Sequence, residues 1–288
     1  MISGYEVLEE MPRGGQAAVY KAIHTATRTK VAIKVLLPTL LASARARHYF
    51  EREAELIASL DHPNIVSIRD SGIIHHQYYF VMQYIEGQPL ERYVRRQDLS
   101  FREIVILFSK VCTAITYAHQ QGVIHRDLKF GNILVDKRGE PHVLDFGLAK
   151  AVGLSEESPD RALATMTGQL SGTLSTMSPE QAAGRPDQID VRTDVYSLGV
   201  MLYHMLTGRY PYDVSGSTLE AIQNIQNADP VRPRQIDRPD CEGQRVDAAG
   251  CFHLLPERLE AGEPSPGRKG SLFLVRWFQG TKSGGVPD

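Results

Sequence analysis

His125-Arg126-Asp127-Leu128-Lys129-Phe130-Gly131-Asn132 places a carboxylate, an ammonium and a carboxamide within six consecutive positions, from Asp127 to Asn132. The stretch follows a long amphipathic segment and precedes a short apolar one, so it reads as a loop on rigid supports. Asp127 can accept a proton from a hydroxyl, Lys129 can neutralise an anionic oxygen, and Asn132 can ligate a metal through its amide oxygen. Further on, Asp145-Phe146-Gly147 follows another strand-like piece and adds a carboxylate, a hard oxygen ligand for a divalent cation. Each of these residues also has a plainer reading, since Asp127, Asn132 and Asp145 could each cap a turn.

The flanking segments give the frame. Upstream, Ser100 and Glu103 form a capping box before Ile104, Leu107, Phe108, Val111, Ile115 and Ala118, the apolar face of a helix that Gly122 ends. Ile133–Val135 and His142–Leu144 read as short strands around the second motif. Further upstream, Val31-Ala32-Ile33-Lys34-Val35-Leu36 is an apolar strand interrupted by one lysine. Alternation puts Ala32 and Lys34 on one face and Val31, Ile33 and Val35 on the other. Phe50, Ala54, Ile57 and Ala58 recur at helical spacing, which predicts a helix over roughly 43–60, ended by Asp61-His62-Pro63. Tyr78 to Tyr84 is a further strand, followed by the turn-forming Glu86-Gly87-Gln88-Pro89. Downstream, helices are expected over roughly Thr193–Leu206, with Gly208 past its end, and more weakly over Ser217–Ala228. The order is α+β, with strands first and helices after.

Taken together these pieces resemble the protein kinases, and among them the bacterial, eukaryotic-like serine/threonine kinases. The resemblance runs from about Tyr5 to about Pro233. It implies a two-lobed fold with a mostly β small lobe over residues 1–86 and a mostly α large lobe over 87–236. It also implies transfer of the γ-phosphoryl group of ATP to protein serine or threonine hydroxyls, aided by Mg²⁺. Asp127 would then orient the hydroxyl, with Lys129 on the phosphate. Lys34, in a VAIK-like strand, would hold the α- and β-phosphates and pair with Glu53 of the helix over 43–60. Asn132 and Asp145 would hold Mg²⁺. Around the nucleotide would lie Met11, Gly14, Gly15, Val19, Ala32, Met82 as gatekeeper, Gln83 to Ile85 as hinge, and Leu134. His125 is expected to pack beneath the Asp145-Phe146-Gly147 turn rather than to act as a base. Ser178-Pro179-Glu180 corresponds to the APE motif, whose glutamate expects an arginine partner, and Asp194 to the aspartate that braces the catalytic loop. Lys129 and Thr173 favour serine/threonine over tyrosine specificity. Thr165 and Thr167 match activation-loop threonines, Arg126 is the expected receiver of a loop phosphate, and a second copy of the chain is a candidate partner for trans-autophosphorylation.

Several departures stand beside the resemblance. The phosphate-covering loop reads Pro12-Arg13-Gly14-Gly15-Gln16-Ala17, where only the central glycine of a G-x-G-x-x-G keeps its register. Phe130 and Gly131 replace the usual Pro and its neighbour, and Thr176 stands where an aromatic residue is usual. After Ile236 the composition changes: 13 of residues 237–288 are Gly or Pro, against 27 of the first 236. That balance suits loops or disorder, and the arginine and helices normally found there are not legible, so an incomplete large lobe is expected. Two other readings therefore remain open, a pseudokinase serving as an ATP-binding scaffold and an inactive fragment.

Composition narrows the rest. Over 288 residues the net charge is −2 at pH 7, and Lys and Arg form no basic arm, so no nucleic-acid partner is expected. The three cysteines, Cys112, Cys241 and Cys251, form no CxxC pair, which argues against a disulfide framework or a zinc site. No signal peptide and no apolar run of membrane-spanning length is evident, giving a cytoplasmic expectation. No GxxxxGK[ST] occurs, which removes a P-loop NTPase.

Overall fold

The computed structural model describes residues 2–11, 17–37, 44–75, 77–146 and 174–231. The chain divides into two units. The first comprises Met1–Gln88, Ala114–Asp127 and Asn132–Gln169, and the second Pro89–Thr113, Leu128–Gly131 and Leu170–Asp288.

In the first unit, β1 (Tyr5–Glu10), β2 (Ala17–His24), β3 (Lys30–Leu36), β4 (Ile68–Ile74) and β5 (Gln77–Gln83) form an antiparallel sheet in the order β1-β2-β3-β5-β4. The alternation read in Val31–Leu36 holds. Val31 and Ile33 join Ala22 and Val81 in one apolar cluster, with Val35 packed against it. The opposite face carries Leu36 with Ala17 and Phe80, against which Ala54, Ile68 and Met82 pack. Ala54 belongs to α1 (Ala44–Ala58), within one or two residues of the helix expected from spacing. Tyr78 donates to Glu51 of α1 at 2.6 Å.

A second sheet in the order β6-β7-β8 is built from Gly87–Pro89, Ile133–Asp136 and Pro141–Val143. Val143 ties it to the loop after α1, donating to the Asn64 carbonyl at 2.8 Å and accepting from the Val66 amide at 3.0 Å. Those bonds explain why residues beyond 131 fall with the first unit although they are distant in sequence. Gly87 runs so close to β7 that a Cβ there would lie 2.5 Å from the Val135 carbonyl oxygen, so no other residue fits. Asp136 closes the β7–β8 turn by accepting from the amides of Arg138 and Glu140, at 2.8 and 3.0 Å. Burial alone would raise its carboxyl, but those amides and His142 outweigh burial and hold it low.

Helix α2 (Leu90–Gln97), which the sequence reading did not single out, precedes α3 (Phe101–Gln120). The capping box of α3 forms as read: Ser100 donates to Glu103 from its amide at 2.9 Å and its hydroxyl at 2.6 Å.

The second unit is helical, with α4 (Pro179–Ala182), α5 (Val191–Thr207) and α6 (Thr218–Asn227). Helix α5 begins two residues before the expected Thr193 because Asp190 caps it, accepting from the Arg192 amide at 2.9 Å. It ends on Gly208, at φ 72°, where a left-handed residue is needed. Its burial extends round the helix, from Thr193 and Asp194 to Met205 and Leu206. Ser217 and Glu220 form a capping box at the start of α6, as Ser178 and Gln181 do at the start of α4.

Glu180 is engaged from α5. The buried Thr193 hydroxyl donates to its carboxylate at 2.6 Å. Cys241, Cys251 and everything else after Val231, where the arginine was expected, lie outside the described residues.

Candidate active site

The sheet of the first unit places the nucleotide-site candidates by register. Val19 stands opposite Lys34, and Ala32 opposite Met82. Directly opposed residues share a sheet face, as do residues two apart on one strand. Val19, Ala32, Lys34 and Met82 therefore occupy one face. Met11 joins Val19 through a 2.8 Å bond from its amide to the Val19 carbonyl. Met11, Val19, Ala32, Met82, Gln83 and Leu134 are half-buried, whereas Ile85 is buried. Gly14 and Gly15 lie outside the described residues, as do Gly147, Thr165, Thr167 and Thr173.

The loop residues converge in the same unit. Asn132 donates through Nδ2 to both the Asp127 carbonyl, at 2.8 Å, and the Asp127 Oδ2, at 3.1 Å. Using Nδ2 for both bonds leaves the amide oxygen of Asn132 as its remaining side-chain group. The Leu144 amide donates to the Asn132 carbonyl at 2.8 Å, which ties the residue before Asp145 to the residue after Gly131. His125 is fully buried, its Nε2 is 2.9 Å from the Leu144 carbonyl, and its ring lies 4.7 Å from that of Phe146. It packs under the turn, as expected.

The charges are distributed differently from the expectation. Lys34 Nζ lies 2.8 Å from Asp145 Oδ1, and Glu53 takes a 3.0 Å ion pair from Arg126. The expected Lys34–Glu53 pair is not made. Lys34 and Glu53 instead each pair with a residue of the two motif loops, Asp145 and Arg126. Both partners of the Glu53–Arg126 pair are mostly shielded, with side chains 14% and 15% exposed. Arg126 and Asp145 also share a backbone feature: φ is 63° and 47°, in the left-handed region that L-residues avoid. Each such residue costs about 1 kcal/mol, and such strain collects at working sites.

Lys129 belongs to the second unit, where its neighbours are fixed. Thr176, buried at 2% exposure, donates to the Leu128 carbonyl at 2.8 Å, and Ser197 of α5 donates to the Thr176 carbonyl at 2.7 Å. Sequence reasoning noted Thr176 only as a departure from an aromatic residue. Its flanks, Leu174-Ser175-Thr176-Met177-Ser178, carry other hydroxyls, so nothing local singles Thr176 out.

Among the described residues, no three His, Cys, Asp or Glu side chains gather as a metal site. The oxygen donors present, the Asp145 carboxylate and the Asn132 amide oxygen, nevertheless fit Mg²⁺. That ion is commonly held by one or two protein oxygens with phosphates and water completing its shell. No described helix is long and apolar enough to cross a membrane.

The comparisons with known proteins point the same way. The protein kinase domain family matches residues 5–248, past the point near Pro233 where the motifs stop being legible. A probable serine/threonine-protein kinase PknB of Lactococcus lactis is 38% identical over 282 residues, covering 94% of this chain and 44% of the relative. The serine/threonine-protein kinase PrkC of Bacillus subtilis is 37% identical over 235 residues, covering 81% of this chain and 35% of the relative. The chain thus spans less than half the length of these relatives. A crystal structure of the PknI kinase domain of Mycobacterium tuberculosis shares the fold, with a TM-score of 0.62 at 24% identity over 98% of this chain and 96% of that one. Sequence and fold agree, and the chain belongs to the protein kinase domain family.

Proposed function

We propose that this chain is a serine/threonine protein kinase that moves the γ-phosphoryl group of ATP to protein hydroxyls. One observation carries the reading: Lys34 Nζ sits 2.8 Å from Asp145 Oδ1, so the phosphate-binding cation and the metal-binding carboxylate are neighbours. Residues 1–86 would form the small lobe and 87–236 the large one. Lys34 would hold the α- and β-phosphates, and Glu53 would steady it once Arg126 is otherwise engaged. Val19, Ala32, Met82 and Leu134 would pack on the base, with Met11 beside them, and Gln83 and Ile85 would offer backbone groups to its edge. Asp145 and Asn132 would hold Mg²⁺, which when bound neutralises the charge on the phosphates.

Asp127 orients the attacking hydroxyl and accepts its proton, and its Oδ2 is itself aimed by the Asn132 amide at 3.1 Å. Lys129 would meet the developing charge on the transferred group. A protein is the substrate, and a second copy of the chain would be one route to phosphate on Thr165 or Thr167.

The reading is tested by radiolabelled transfer from ATP to a mixed serine/threonine peptide library, with Lys34→Met beside the wild type. Label on peptide from the wild type alone supports it. ATP-dependent stabilisation without transfer would replace it with a scaffold role.

A further inference from the structure

His204 occupies the last turn of α5, a helix whose other interior positions are chiefly apolar or small. An imidazole there has a cost, because its Nδ1 is buried without a hydrogen-bond partner. An apolar residue would avoid that cost, so the ring needs another justification.

Its surroundings supply one. The His204 ring stacks on Tyr210, with centroids 4.3 Å apart and planes 19° from parallel. On Phe130 it is tilted by 56° at 5.3 Å. Its Nε2 lies 3.4 Å from Glu91 Oε1 of α2, which fixes the ring's rotation and makes Nε2–H the donor. Tyr210 is itself tied to Ser175 by a side-chain hydrogen bond, beside the Thr176 that holds the Leu128 carbonyl.

The consequence falls on Lys129. Its predecessor Leu128 is pinned through a carbonyl by Thr176, and its successor Phe130, 6% exposed, is pinned through its ring by His204. Phe130 replaces the residue usual at this place, and an aromatic ring gives α5 something flat to grip. We propose that His204 is a positioning residue for the Leu128–Gly131 segment, clamping Phe130 so that Lys129 is presented in one backbone conformation. The proposal rests on the kinase reading for the task of Lys129, but not for the clamp itself.

The experiment uses the full chain and compares the wild type with His204→Ala, His204→Phe and Phe130→Ala. Hydrogen exchange is followed by mass spectrometry on the peptide containing residues 128–131, beside steady-state phosphorylation. His204→Ala should speed exchange in this peptide at least about tenfold and lower kcat about tenfold, with KM for ATP within about twofold. His204→Phe keeps a ring on Phe130 and should restore both to within about threefold. Should His204→Ala fail to fold, Phe130→Ala reads the same clamp from its other side. Exchange in the peptide at the wild-type rate in whichever of these variants folds would overturn the proposal. So would acceleration spread equally over α5, which would mark general loosening. If the wild type transfers no phosphate, the kinase reading fails, while the exchange result still decides the clamp.

Discussion

Glu53 takes its cation from Arg126 at 3.0 Å, and Lys34, the partner its motif calls for, lies instead 2.8 Å from Asp145. Two ion pairs thus share four residues that phosphoryl transfer would use in another pairing. Removing one partner of a shielded pair strands the other charge, a cost of about 3–5 kcal/mol when burial is complete. Here both side chains keep some exposure, so Glu53→Gln and Arg126→Gln should each destabilise by about 2 kcal/mol. The double variant should lose less than the sum, leaving a coupling of about 1.5 kcal/mol. Urea unfolding of the four proteins measures it, and additive losses would show that the pair contributes nothing.

The second pair predicts how nucleotide binding responds to Mg²⁺. On the proposed reading Asp145 would compete with phosphate for Lys34, and ATP without metal would have to pull the lysine away from a carboxylate. Asp145→Asn removes that competitor and keeps a residue that tolerates φ 47°. Calorimetric titration should find metal-free ATP bound about two- to fivefold tighter than by the wild type, with the gain from adding Mg²⁺ lost. Weaker metal-free binding would mean that the Lys34–Asp145 contact does not oppose ATP.

Cys112, on α3, is 4% exposed, and burial pushes its thiol up to about 12. The folded protein therefore holds this proton where the unfolded chain, titrating near 9, has already lost it. Stability from this group is complete below pH about 9 and falls as pH rises towards about 12. The thiol should resist iodoacetamide at pH 8 while a urea-unfolded control reacts fully. Peptide mapping follows it, and rapid native labelling at Cys112 would refute its burial.

Local pattern carried most of the fold. The strand Val31–Leu36, the helix near Ala44–Ala58 and the capping box at Ser100 depend on neighbours in sequence. Alternation, 3.6-residue spacing and cap chemistry therefore reveal them. Helix α2 was less visible because its eight residues, Leu90–Gln97, carry four arginine or glutamate side chains and bury only Leu90. The candidate site was legible as a set of residues, since its motifs are short and ordered along the chain. Its pairings were not. Whether Glu53 meets Lys34 or Arg126 is settled by where α1 sits and by what else competes for each charge, and neither leaves a mark in local sequence. The Glu180–Thr193 hydrogen bond is of the same kind, set by how α4 meets α5. The grip of His204 on Phe130 likewise joins positions 74 apart.

The claim that this site transfers phosphate is tested most directly by intact-mass spectrometry of the purified chain after incubation with Mg²⁺ and ATP. An Asp127→Asn variant serves as the control, since it keeps the shape of the side chain but loses its basicity. The account predicts added phosphate masses on the wild type and none on Asp127→Asn, with both melting cooperatively. A cooperatively folded wild type that gains no mass and labels no peptide, or an Asp127→Asn protein that gains as much as the wild type, would contradict it.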